Sequence, residues 1–68
     1  MKREKLREYR GTRTQKEMGE MYGVTQQAWN RWEIGRTSPA PSVMKRLEDD
    51  SGTPMEVLFY DRFHNNLM

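Results

Sequence analysis

The sequence predicts an all-α domain of five short helices, and three observations carry that expectation. Apolar residues recur at three- and four-residue spacing, as in Leu6/Tyr9, Met18/Tyr22 and Trp29/Trp32, so that each pair shares one helix face. Helix-start signals are clear. Thr14-Gln15-Lys16-Glu17 and Thr53-Pro54-Met55-Glu56 both fit the capping box, in which a hydroxyl and a carboxylate three residues on satisfy each other's backbone N–H groups. Glycines stand where the periodic segments stop, at Gly11, Gly23 and Gly52.

The first helix is expected from Lys2 to Tyr9 or Arg10, on a thin apolar face of Leu6 and Tyr9 that tertiary packing must support. The second runs from Gln15 to Tyr22 behind the Thr14 cap, with Met18 and Tyr22 inward and Met21 beside them. Gly19 interrupts it and is expected to cost about 0.5–1 kcal/mol relative to Ala. Gly19→Ala is therefore a candidate stabilising change, provided the helix crossing has room for a methyl group. Gly23-Val24-Thr25 forms a tight turn, and Thr25 caps a third helix over Gln26–Glu33. Trp29 and Trp32 are expected in the core, the alternative being that the edge of Trp32 stacks on a nucleic-acid sugar or a partner. Ile34–Ala40 is a loop with Gly35, Ser38 and Pro39, after which Pro41 opens a fourth helix to about Asp50, with Val43, Met44 and Leu47 inward. The fifth covers Pro54 to about Tyr60 on Met55, Leu58 and Phe59. Residues 1–60 thus form one domain. Residues 61–68 form a tail, frayed or at a dimer interface, to which Phe63, Leu67 and Met68 bring apolar surface.

Two helices joined by a three-residue turn containing Gly make a helix-turn-helix, whose second helix enters the DNA major groove. Gln15, Gly23-Val24-Thr25, Trp32-Glu33, Gly35-Arg36 and Pro39 resemble, in their joint spacing, the phage repressor and Cro helix-turn-helix family, also called the XRE family. The resemblance spans about Lys2 to Tyr60. It implies a compact five-helix, lambda-repressor-like DNA-binding domain with the helix-turn-helix at the second and third helices. It also implies that Gln15 contacts a phosphate and braces the start of the recognition helix, that Arg36 meets the backbone, and that Glu33 pairs with an Arg of the first helix. Arg7 is the nearest candidate for that ion pair and Arg10 the second. The sequence departs from the family at Arg13, Gly19, Trp29, Glu48 and Ser51. The last two, standing for Ala and Leu, suggest a fourth helix that packs less well or ends early.

Charge agrees with a polyanion partner. The net charge is +2, but residues 1–36 carry nine Lys or Arg against five Glu, whereas residues 37–68 carry three against five acidic residues. The basic half contains the helix-turn-helix, as an electrostatic footprint for DNA would. The bland alternative is charge that only confers solubility.

Side-chain chemistry divides the contacts into positioning and reading. The start of a helix favours a phosphate through its open N–H groups, which suits Gln15 and Thr25, and Arg36, Arg13 and Lys16 add charge. Gln matches the N6 and N7 of adenine, and Arg the O6 and N7 of guanine. Gln26, Gln27 and Arg31 are therefore the base-reading candidates, with Asn30 a further one for base or phosphate.

Other classes are disfavoured. Sixty-eight residues bury about 60% of the unfolded surface, enough for a single thin core. Without cysteine there is no disulfide, and with one histidine no zinc site is expected. No run approaches the roughly 20 apolar residues of a membrane span, and no signal core follows the basic start, so a cytoplasmic protein is expected. No cofactor or small-molecule ligand is indicated. An enzyme is not expected either, because His64 stands alone, reads as solvent-exposed, and no carboxylate cluster faces a pocket. The favoured reading is a small Cro-like repressor that binds a palindromic operator as a homodimer, and the resemblance implies an origin in a phage or mobile element. Helix five and the tail would supply the interface, with Leu58, Phe59 and Phe63 as candidates. The competing reading is an interaction module, for example a DNA-binding antitoxin.

Overall fold

A computed structural model describes residues 2–64. It contains α1 (Glu4–Arg10), α2 (Gln15–Tyr22), α3 (Gln26–Glu33), α4 (Pro41–Ser51), α5 (Met55–Leu58) and α6 (Tyr60–His64), and no strand among the described residues. The all-helical expectation holds, with one helix more than expected. The break comes at Phe59, whose backbone (φ −120°, ψ 48°) leaves helical geometry as its ring enters the core, and the chain resumes as α6. Asp61 to His64 is thus helical rather than irregular, and Leu67 and Met68 lie outside the described residues.

The core is a single cluster to which every helix except α6 contributes. Leu6 comes from α1, Met18 and Tyr22 from α2, Trp29 and Trp32 from α3, Met44 and Leu47 from α4, and Leu58 from α5, with Phe59 beside it. Tyr9, Val24, Val43 and Met55 pack around them. Both tryptophans are core residues. Tyr22 stacks on Trp29 with ring centroids 5.7 Å apart, and Trp32 tilts against Trp29 at 5.5 Å. Aromatic pairs in this range add roughly 0.5–1.5 kcal/mol beyond their buried area, which matters in a core this small. Met21, by contrast, faces solvent.

The join between α2 and α3 follows from local chemistry. Both halves of the Thr14–Glu17 capping box form, at 3.0 Å and 2.7 Å. Gly23 takes the left-handed conformation (φ 71°), and the Val24 N–H returns to the Gly19 carbonyl at 2.8 Å. Gly19 is where the turn folds back on α2. A Cβ placed there would stand 2.6 Å from the Val24 carbonyl oxygen and 3.1 Å from the Thr25 carbonyl group. These are backbone atoms of the turn itself and have no soft side chain to yield. The expected gain from Gly19→Ala is therefore reversed: the packing requires glycine.

The second capping box does not form. Pro54, not Thr53, is the N-cap of α5, and its side chain caps nothing. Glu48 reaches across from α4 instead and accepts the Met55 N–H at 3.0 Å. The carboxylate that the sequence places at an expected packing position is thus a capping group for the next helix. α4 does not end early but continues to Ser51, and Gly52 (φ 72°) closes it.

Candidate nucleic-acid interface

The outward face of α3 is defined by what its inward face buries. Trp29, Trp32 and Glu33 are buried, which leaves Gln26, Gln27 and Arg31 exposed and Asn30 half-buried. Thr25 fixes where the helix begins: its extended backbone (ψ 163°) turns the chain, and its Oγ accepts the Ala28 N–H at 3.0 Å. The Thr25 hydroxyl proton remains available to an external acceptor. Lys16 and Arg36 are exposed on the flanking segments.

Behind this face, Glu33 organises a buried network. Its Oε2 accepts from Arg10 Nε at 2.6 Å and from Trp29 Nε1, and its Oε1 accepts from Arg10 Nη2 and Gln15 Nε2, both at 3.2 Å. Gln15 Nε2 also donates to Asn30 Oδ1 at 3.0 Å. The partner of Glu33 is Arg10, not Arg7. Arg10, the last residue of α1, lies beside Glu33, whereas Arg7, three residues earlier in the same turn, is exposed. A carboxylate buried this deeply is tolerated because Arg10 meets it bidentately and the other lone pairs are filled. Gln15 braces the middle and end of α3 rather than its start, and both protons of its amide are taken by Asn30 and Glu33. Its free side-chain atom is then Oε1, an acceptor, and a phosphate is itself an acceptor. What Gln15 retains for an anion is its backbone N–H in the open first turn of α2.

Arg13 also has another task. Its Nη2 donates to the Tyr9 carbonyl at 2.5 Å and its Nε to the Arg10 carbonyl at 3.1 Å, with the guanidinium over the Tyr9 ring. It therefore caps the C-terminal end of α1, where carbonyls lack helical partners, and is not free for a phosphate.

One structural residue has no signal in the sequence. Arg3 reads as part of the basic start, yet its side chain is buried. It donates to the carbonyls of Trp32 (2.9 Å) and Thr37 (2.7 Å), to Ser38 Oγ (3.0 Å), and to both oxygens of Asp61 (2.8 and 2.9 Å). Its guanidinium also lies over Phe59. One arginine so ties the end of α3, the following loop and α6 together. The Arg3 guanidinium holds the Asp61 carboxyl below its usual range. In the core, burial first and then hydrogen bonds with Tyr9 and Asp50 push the Tyr22 hydroxyl above its usual range, so it stays protonated.

Apart from Arg13, which backbone carbonyls hold, the cations of residues 2–36 without an ion pair among the described residues are Lys2, Arg7, Lys16, Arg31 and Arg36. In the second half, Lys45 and Arg46 pair with Glu48, Asp49 and Asp50. Among the described residues no group of three or more His, Asp or Glu side chains converges to hold a metal, and no helix is long and apolar enough to cross a membrane.

A capped α2, a glycine turn and an α3 with a buried aromatic face and an exposed polar one define a helix-turn-helix DNA-binding domain. A family model described as Helix-turn-helix matches residues 4–58, and the chain belongs to that family, the XRE-type helix-turn-helix proteins. No curated protein and no solved structure matches the chain.

Proposed function

We propose that the protein is a small transcriptional repressor of Cro type that reads a palindromic operator with α3. The observation that carries this reading is the outward set Gln26, Gln27 and Arg31, exposed together on a helix whose opposite face is locked into the core. Arg31 presents a donor fork for guanine O6 and N7, and the glutamines present the donor–acceptor pair for adenine N6 and N7. Thr25, Lys16, Arg36 and the backbone N–H groups at the start of α2 position the helix on the phosphates.

One domain of this size reads few base pairs, so the operator is bound by a two-fold dimer with recognition helices about 34 Å apart. Leu58 and Phe59 cannot form its interface, because both are buried within the protomer. Val57, Tyr60 and Phe63 are the exposed large apolar side chains of α5 and α6, and they support self-association there. The same patch favours a second reading, a protein-interaction module that pairs with a different chain. Selection of duplexes from a randomised library at physiological salt tests the choice. A repressor dimer enriches a palindrome with half-sites one helical turn apart. A monomer that needs a foreign partner enriches one short half-site, and a protein that reads no sequence enriches nothing.

A further inference from the structure

A groove of about 200 Å³ opens where α1, the start of α2 and the middle of α3 meet, lined by Lys2, Arg7, Arg10, Gln15, Asn30 and Glu33. Arg10 and Glu33 neutralise each other, whereas Lys2 and Arg7 are exposed and have no ion pair among the described residues. The groove is therefore cationic.

Glu33 also sets the direction of every amide in it. A carboxylate accepts at about four positions, and here four donors fill them: two from Arg10, one from Trp29 and one from Gln15. Gln15 must turn its NH2 toward Glu33, since its carbonyl would meet another acceptor there. The second Gln15 proton points at Asn30, which must answer with its carbonyl, at 3.0 Å. Asn30 is thereby fixed with Nδ2 on the far side of its amide, carrying two protons and no partner among the described residues.

We propose that this groove seats one phosphate of the DNA backbone, with Asn30 Nδ2 as its oriented donor and Lys2 and Arg7 as its charge. Asn30 is then a positioning residue and not a base reader. A paired match to adenine needs a donor and an acceptor together, and the Asn30 carbonyl is already held by Gln15. The inference rests on the DNA-binding reading above and deepens it, moving Asn30 from reading to positioning and replacing the Gln15 side chain as the phosphate donor.

The test is fluorescence anisotropy of wild type, Asn30→Asp and Lys2→Ala on the selected operator and on a random duplex, each over a range of salt. Asn30→Asp preserves the acceptor for Gln15 and replaces the outward NH2 by an oxygen. It should weaken operator and random duplex by the same factor, about tenfold for a lost hydrogen bond to a charged group. Lys2→Ala lies outside the network, so its folding is secure. It should also weaken both duplexes alike and lower the salt slope by about one. Loss confined to the operator on Asn30→Asp, with relaxed preference at one base pair, would make Asn30 a base reader and overturn the proposal. Unchanged binding by both variants would overturn it too. A wild type that binds DNA without preferring any sequence would defeat the repressor reading alone, since a phosphate seat serves either kind of binding.

Discussion

At the scale of single residues, two buried arginine contacts tie this small protein together, and one of the two, Arg3, is not distinguished in the sequence from the surface charges. Arg10 neutralises the buried Glu33, and Arg3 joins α6 to the end of α3. The Arg3–Asp61 contact makes stability depend on acid. Because the pair holds the folded Asp61 carboxyl below 3.8, its contribution is fully present above that value and is lost as pH falls through the folded pKa. Asp61→Asn should therefore lower stability at pH 7, by about 1–3 kcal/mol for a largely buried charged contact. The gap from wild type should close as pH drops below about 3.8. Thermal melts from pH 7 down to pH 2 measure it, and a gap that is constant with pH would show that the carboxylate charge is not what matters.

At the scale of elements, the turn between α2 and α3 folds back so closely on Gly19 that it leaves no room for a side chain. Gly19→Ala forces a methyl group against the Val24 carbonyl, and overpacking of this kind costs about 1–3 kcal/mol. The variant should melt at least about 4 °C below wild type, given the usual shift per kcal/mol in a domain this small. A variant that melts higher would mean that the turn can move away and that helix propensity decides. This element also marks how far the sequence can be read. The helix-turn-helix is legible because its signals are local: Thr14 with Glu17, Gly23, and Thr25 all act within four residues of themselves. Propensity misjudges Gly19 because the constraint comes from the approach of another backbone segment. The second capping box fails for a related reason: Glu48, seven residues before Met55, supplies the cap that Thr53 would otherwise provide. Arg3 and Asp61 stand 58 positions apart, and no periodicity links them. Arg7 and Arg10 differ by less than one helical turn, so the choice between them depends on where α1 ends relative to Glu33.

At the scale of the whole molecule, charge and shape divide the work. Internal contacts hold Arg3, Arg10 and Arg13. Of the first-half cations without an ion pair among the described residues, Lys16 lies on α2, Arg31 on α3 and Arg36 just after it, and the fully exposed residues of α3 are all polar. The candidate interface was partly legible for the same reason. Trp29 and Trp32 fix which way α3 rolls, so Gln26, Gln27 and Arg31 must face out, whereas the tasks of Gln15, Asn30 and Arg13 depend on a network centred on Glu33. Leu58 and Phe59 read as surface candidates only because the break at Phe59, which draws that ring inward, leaves no mark in the sequence. Val57, Tyr60 and Phe63 are the large apolar side chains left exposed on α5 and α6.

The most direct measurement is duplex selection run in parallel with wild type and Arg31→Ala. If the outward face of α3 reads sequence, wild type enriches a motif containing a guanine that Arg31→Ala no longer selects, while the rest of the motif survives. An identical motif from both proteins, or none from wild type, would contradict sequence reading by this helix.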